Sequence, residues 1–198
     1  FRVIIISDKS KVDFKNSAME KIDPLVEPEA LKKFIAEMGE TLAKTKRKVE
    51  ASPHSHSRFL SEQNKIVIVV DELWSIKKLE KGARESFENL CELIIRQGRY
   101  LSVFIIFVTQ VTSVSEVNIP IRQCSLIITG KTDTRQLSES LFGSDIAYSS
   151  DFLGQGVFVI WNRVSSPIIV KIQTEQSKFS IYTLWLLKLL KKIWTTFR

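Results

Sequence analysis

The chain has 198 residues, of which 44% are hydrophobic and 26% charged, and 29 Lys and Arg outweigh 22 Asp and Glu for a net charge of +7. This composition excludes disordered and collagen-like chains, and the length suits one domain with a substantial core. Two cysteines cannot build a disulfide framework, which points to a reducing cytoplasm, and no apolar run reaches the roughly 18 residues of a membrane span.

Residues 2–6 carry three consecutive Ile and read as a buried strand closed by Ser7-Asp8-Lys9-Ser10. Pro24 and Pro28 punctuate a loop. Glu27-Pro28-Glu29 opens a helix, with acids where the helix dipole favours them. Leu31, Phe34, Ile35, Met38 and Leu42 follow at helical spacing, and the helix runs through Lys44, Lys46, Arg47 and Lys48 to a stop at Ser52–Ser57. Lys65 to Glu72 is a run of branched residues ended by two acids, the pattern of a central parallel strand. Leu79, Ala83, Phe87, Leu90, Cys91, Ile94 and Ile95 form the apolar face of a second helix. Val103 to Val108 is a further buried strand closed by Thr109-Gln110. A strand at Ser125 to Thr129, a helix at Gln136 to Phe142 and a hairpin of Val157–Trp161 with Ile168–Ile172 follow, and a helix fills 181–197. Strands alternating with helices predict an α/β fold with a mainly parallel sheet. The chain opens on Phe1 without an initiator Met or signal pattern, as a segment from inside a longer fold would. The basic balance favours anionic partners: nucleic acid, phosphates or acidic lipid.

The sharpest chemical signal is the apolar strand ending in Asp71-Glu72. Carboxylates at a strand's C-terminal end sit where open α/β sheets bind ligands. In nucleoside triphosphatases such an Asp holds the Mg²⁺ shell through water, and the next acid polarises the attacking water. The plainer alternative is an acid pair that ends a strand and caps a helix. Gly130-Lys131-Thr132 is not a P-loop, because the preceding residues Leu126 to Thr129 read as strand and supply no glycine-rich turn. His54 and His56 fit a solvated Ser-rich loop better than a metal site. Cys91 and Cys124 fit core positions. The basic residues at 44–48 fit a solvated helix end.

The order of motifs resembles the second half of an FtsK/SpoIIIE-type motor domain over residues 1–172. The matching segments are Ile66–Trp74, Arg96-Gln97-Gly98-Arg99, Val103–Gln110, Asn118-Ile119-Pro120-Ile121-Arg122, Lys131-Thr132-Asp133-Thr134-Arg135 and Leu153-Gly154-Gln155-Gly156. Asp8, Asp13 and Phe14 fit the family's strand ending after the P-loop helix, although Ser10 stands where that family carries Lys. The resemblance implies a RecA-like sheet flanked by helices, a hexameric ring, and the use of ATP and Mg²⁺ to move double-stranded DNA. It implies that Asp71 is the Walker B acid bound to Mg²⁺ through water and Glu72 the catalytic base. Gln110 would sense the γ-phosphate, and Arg99, borne on the turn before the sensor strand, would enter a neighbour's site. Arg122, Asp133 and Arg135 would bind nucleotide or couple subunits.

Two departures accompany the resemblance. The Walker A half is absent from these residues and is expected upstream. Residues 177–198 form a basic amphipathic helix instead of a winged helix, so residues 1–176 are expected to be the C-terminal part of the motor. A protein-secreting ATPase with the same core, or a catalytically silent interaction module, are the alternatives. A cytoplasmic location is expected, with any membrane association carried outside this chain or by its last helix. In that helix Lys188, Lys191, Lys192, Thr195 and Arg198 fall within an arc of about 120°, with most apolar residues opposite. The apolar face is expected to pack on the motor core. Deleting residues 180–198 should then abolish cooperative unfolding or solubility. A melting transition left intact, with binding to anionic liposomes lost, would assign the helix to docking instead.

Overall fold

Three runs of branched apolar residues become parallel strands. The computed structural model describes residues 2–8, 20–51, 64–109, 119–149 and 157–171. They divide into a first unit, up to Cys124, and a second from Ser125 onward.

In the first unit, β1 (Arg2–Ile6) is followed by the short β2 (Glu20–Ile22), helix α1 (Pro28–Ala51), β3 (Ile66–Asp71), helix α2 (Lys81–Leu101) and β4 (Val103–Val108). The sheet order is β2-β1-β3-β4 and every pairing is parallel. The register aligns Ile6 with Val70 and Asp71 with Val108, so the strands end together at one edge. Ile4, Ile5 and Ile6 are all 0% exposed, although successive side chains point to opposite faces. Both faces of β1 are therefore covered, as an all-parallel sheet requires.

The helix spacings seen in the sequence are the packing spacings. Leu31, Phe34, Met38 and Leu42 of α1 join Phe87, Leu90, Cys91 and Ile94 of α2 in one core with Ile4, Ile6, Ile68 and Val70. Burial pushes the Cys91 thiol well above the ordinary cysteine range, which makes it a packing residue. On the outer side of α1, Lys32–Glu29, Lys33–Glu37 and Lys44–Glu40 are exposed i,i+3 and i,i+4 ion pairs. Such pairs add only tenths of a kcal/mol each. Ahead of α1, the buried Asp23 accepts hydrogen bonds from the Leu25 and Val26 amides at 3.0 and 3.1 Å and holds the turn.

The second unit is built on an antiparallel sheet of β5 (Ile127–Thr129), β6 (Val157–Trp161) and β7 (Ile168–Lys171) in that order. Two short helices, α3 (Arg135–Phe142) and α4 (Ile146–Ser149), share its core through Leu141, Phe142 and Ala147. Thr134 caps α3 by accepting from the Leu137 amide, and Gly143 ends it at φ 70°. Phe142 lies against Trp161 with ring centroids 6.1 Å apart.

The α/β class with a parallel sheet flanked by helices is as expected, and four details correct the sequence reading. β2 was not anticipated, since three residues with one buried side chain carry no periodic signal. The strand expected from Ser125 starts at Ile127, so Cys124 is a half-buried loop residue and does not open it. That strand joins an antiparallel sheet and not the parallel one. Arg99 is still helical, since α2 continues to Leu101 before Ser102 turns left-handed at φ 58°. The expected features at residues 9–19, His54 and His56, Gln110, Asn118, Leu153–Gly156 and the helix at 177–198 lie outside the described residues.

Two glycines test the packing with opposite sign. A Cβ at Gly98 would drive into the Val103 carbonyl oxygen where α2 turns directly into β4, whereas a Cβ at Gly39 of α1 meets nothing within 4 Å. Gly98→Ala is expected to destabilise the chain by roughly 1–3 kcal/mol. Gly39→Ala should stabilise it by roughly 0.8 kcal/mol. Urea denaturation of both variants checks the pair.

Candidate functional site

Each strand of the parallel sheet gives way to polar residues at the same edge. β1 leads into Ser7 and Asp8, β3 ends in Asp71 before Glu72, and β4 leads into Thr109. β1 and β3 are too deeply buried in their later residues to carry polar groups there, so the first place for them is where the chain leaves the sheet. Parallel register then collects them in a row.

The hydrogen bonds tie this row together. Ser7, 0% exposed, donates its hydroxyl to Asp71 Oδ2 at 3.1 Å. Thr109 donates to Glu72 Oε1 at 3.2 Å. Each acid of the pair thus has one oxygen oriented by a hydroxyl from a neighbouring strand. Glu72 itself sits at φ 58° and ψ 74°, in the left-handed region. A residue with a Cβ pays roughly 1–2 kcal/mol there. The Glu72 carbonyl accepts from the Ser75 amide at 2.9 Å and starts a 3₁₀ turn over Leu73–Lys78 that buries Leu73 and Ile76. The strained residue is therefore held from both sides, by Asp71 in the sheet and by a buried turn.

The donor set is hard oxygen throughout: carboxylates and hydroxyls. Among the described residues no three His, Cys, Asp or Glu side chains come close enough to cage an ion. A cation at this edge would rest on one or two carboxylates, with water and phosphate oxygens completing its shell. That is how Mg²⁺ is commonly held, and Asp71 with Ser7 behind it fits. Asp8 adds a buried Oδ1 with no hydrogen-bond partner.

Of the catalytic candidates from sequence that lie among the described residues, Asp71 and Glu72 are brought together here and Arg99 is not. Arg99 lies four residues before Val103, which pairs with Ile66 at the start of β3. It is therefore at the opposite edge of the sheet from Asp71, separated by roughly 17 Å of strand. No arginine side chain spans that length, so Arg99 does not serve the acids of its own chain. Arg122 belongs to a single 3₁₀ turn, Ile121–Gln123. In the second unit, Asp133 is exposed in the loop before α3, and Arg135 is paired with Glu139 at 2.9 Å and Asp145 at 3.7 Å. Thr132, from the rejected Gly-Lys-Thr segment, is buried, and its amide donates to the Ala147 carbonyl at 2.8 Å. Sequence reasoning missed Ser7 and Thr109 as site residues. Their signal was available, since each is a hydroxyl residue placed directly after a buried strand.

No protein-family model and no curated protein matches the chain. Solved structures do. The chain is similar to the pCW3 conjugation coupling protein TcpA, in its monomer form with ATPγS, with a TM-score of 0.66 and 16% identity over 95% of this chain and 56% of that one. It is similar to EssC, ATPases 2 and 3, from Geobacillus thermodenitrificans, with a TM-score of 0.66 and 17% identity over 100% of this chain and 39% of that one. The cytoplasmic domain of the type VII secretion ATPase EccC from Thermomonospora curvata gives 0.60 and 14%, over 96% and 24%. The fold, a parallel four-stranded sheet flanked by helices, is shared with these ATPase structures. The chain spans about half the length of the first of these structures and less of the other two.

The left-handed backbone at Glu72 gives a stability test that is independent of function. Glu72→Gly should be more stable than Glu72→Ala by roughly 1 kcal/mol, because only glycine adopts this conformation without Cβ strain. Equal urea midpoints for the two variants would place Glu72 in an unstrained conformation.

Proposed function

We propose that this chain is the Walker B half of an ATP-driven translocase motor, with residues 1–176 forming the C-terminal part of the motor domain. The observation that carries this reading is the Asp71-Glu72 pair at the C-terminal edge of a parallel sheet, with a neighbouring strand's hydroxyl on each acid. In this reading Asp71 holds the water shell of Mg²⁺, with Ser7 fixing its rotamer. Glu72 accepts a proton from the water that attacks the γ-phosphate, and Thr109 fixes which oxygen faces that water. Bound Mg²⁺ would supply charge neutralisation for the transferring phosphoryl group.

Gln110, directly after Thr109, would sense the γ-phosphate. Arg99, remote from its own chain's acids, would stabilise phosphate charge in the site of a neighbouring subunit, which requires an oligomer, a hexameric ring in this reading. Arg122, Asp133 and Arg135 would bind nucleotide or couple neighbours, although Arg135 already spends its charge on Glu139 and Asp145. The phosphate cradle would come from a P-loop elsewhere in the protein, since these 198 residues contain no GxxxxGK followed by Ser or Thr. The cargo in the lead reading is double-stranded DNA, supported by the net charge of +7 and by the likeness to a conjugation coupling protein. Protein cargo is the second reading, because EccC is a type VII secretion ATPase.

In a protein carrying this chain with its P-loop, Glu72→Gln should lower ATP turnover by roughly 10²–10⁴ while ATP still binds. Arg99→Ala should lower it by roughly 10³–10⁵, and mixing the two variants should recover activity at the sites that receive one intact residue from each. Normal turnover by Glu72→Gln would sink the assignment. Stimulation by linear duplex DNA, weakening steeply with salt, would be the mark of DNA cargo, and indifference to DNA would favour protein.

A further inference from the structure

The cations of the two long helices fall into two groups. Lys32, Lys33 and Lys44 of α1 and Lys81, Arg84 and Arg96 of α2 each hold a carboxylate three or four residues away. Lys46, Arg47 and Lys48, all exposed at the end of α1, hold none among the described residues, and neither does Lys65 directly before β3.

Topology puts these unpaired cations at one edge. α1 packs on the sheet core from Leu31 to Leu42, a stretch of about 17 Å at 1.5 Å per residue, which is about the length of five strand residues. The helix starts after β2 ends level with Ile6, so its last turns emerge at the opposite edge, where β3 begins. There Lys44, Arg47 and Lys48 fall within an arc of about 100°, opposite the buried Leu42 and Val49. The helix macrodipole favours cations within the last turn, which holds Lys48 alone. Lys44 and Lys48 are an i,i+4 pair of like charge, which weakens a helix. An anion brought to the cluster offsets that repulsion.

We propose that this end of α1 docks the phosphate backbone of duplex DNA, through Lys46, Arg47 and Lys48 with Lys65 at the same edge. Successive helix residues point about 100° apart, so one small anion cannot reach all three, whereas phosphates spaced along a strand can take one each. Each contact releases condensed counterions, which makes a few of them sufficient on a polymer as highly charged as DNA. A bilayer gains less. The large apolar side chains exposed at this edge are Tyr100 and Phe104, at 38% and 37%, and interfacial docking needs buried apolar area as well as charge. The surface lies at the far edge from Asp71 and Glu72, and its binding needs neither nucleotide nor a P-loop.

The test uses the protein that carries this chain, free of nucleotide and divalent metal, with a fluorescently labelled linear duplex titrated over a range of salt. The triple variant Lys46→Gln, Arg47→Gln, Lys48→Gln is compared with Lys32→Gln, Lys33→Gln, Lys81→Gln, which removes the same charge from the opposite ends of α1 and α2. The first is expected to weaken duplex binding roughly 10-fold or more and to reduce the slope of log affinity against log salt by roughly 2–3, at about 0.9 per lost phosphate contact. The second should keep an affinity and slope near the parent's. Equal losses from the two triples would reduce the effect to net charge and overturn the proposal, as would the parent's affinity and slope in the first. Loss of binding to phosphatidylserine vesicles by the first triple, with duplex binding kept, would assign the surface to lipid. A parent that hydrolyses ATP yet binds no duplex would overturn this inference and leave the ATPase reading standing.

Discussion

The structure depends on one constraint: the central parallel strands β1 and β3 are covered on both faces over most of their length and have room for polar groups only at their ends. β1 and β3 are apolar throughout their buried length, and the register brings their last residues level. Burying Ile4 to Ile6 and Val67 to Val70 removes several hundred Å² of apolar surface from water, at roughly 25 cal/mol per Å². A polar residue moved inward by one position would forfeit part of that and lose its own hydration as well. The acids are thus confined to the edge by the same burial that stabilises the sheet. Because the strands run parallel, the edge that receives Asp71 also receives Ser7, Asp8 and Thr109.

Confinement alone does not set orientation, and here local backbone geometry enters. Glu72 continues from the strand but turns left-handed, which takes its side chain out of the strand's alternation. The strain is tolerable because the neighbouring structure over-determines it. Asp71 is fixed in the ladder opposite Val108, and Leu73 and Ile76 anchor the following turn in the core. The outcome is a pair of adjacent carboxylates with different partners, Ser7 for one and Thr109 for the other. A shared environment would make two neighbouring acids equivalent. Separate hydroxyls allow separate roles.

Much of this was legible from residue order. The apolar runs are continuous, so the strands and their parallel arrangement could be read directly, and the 3.6-residue spacing in α1 and α2 matched the buried positions. β2 was not legible, because Glu20-Lys21-Ile22 contributes one buried side chain and is held by pairing with β1. The switch to an antiparallel sheet at β5 was equally hidden, since Ile127 to Thr129 looks the same in either arrangement. Within the site, the acids announced themselves by their contrast with the strand before them. Ser7 and Thr109 did not, because a hydroxyl after a strand is common and gains its meaning only from the strand beside it. Arg99 was placed one element too late, because the turn there was carried over from the family resemblance. The structure instead uses Gly98 to let α2 run close to Val103, with Ser102 making the turn.

The charge at the sheet edge finally bears on what the chain can do alone. The described residues that end or directly follow the four strands there are Ser7, Asp8, Asp23, Asp71, Glu72 and Thr109, and none is a Lys or Arg. The chain as a whole is basic, yet this edge is acidic. A triphosphate carries several negative charges, and adjacent carboxylates such as Asp71 and Glu72 repel it. Two such acids can face a triphosphate only where cations offset their charge. Arg99 is held by its helix at the far edge of the same sheet, away from these acids. The parallel sheet thus keeps its acids at one end and an exposed cation at the other.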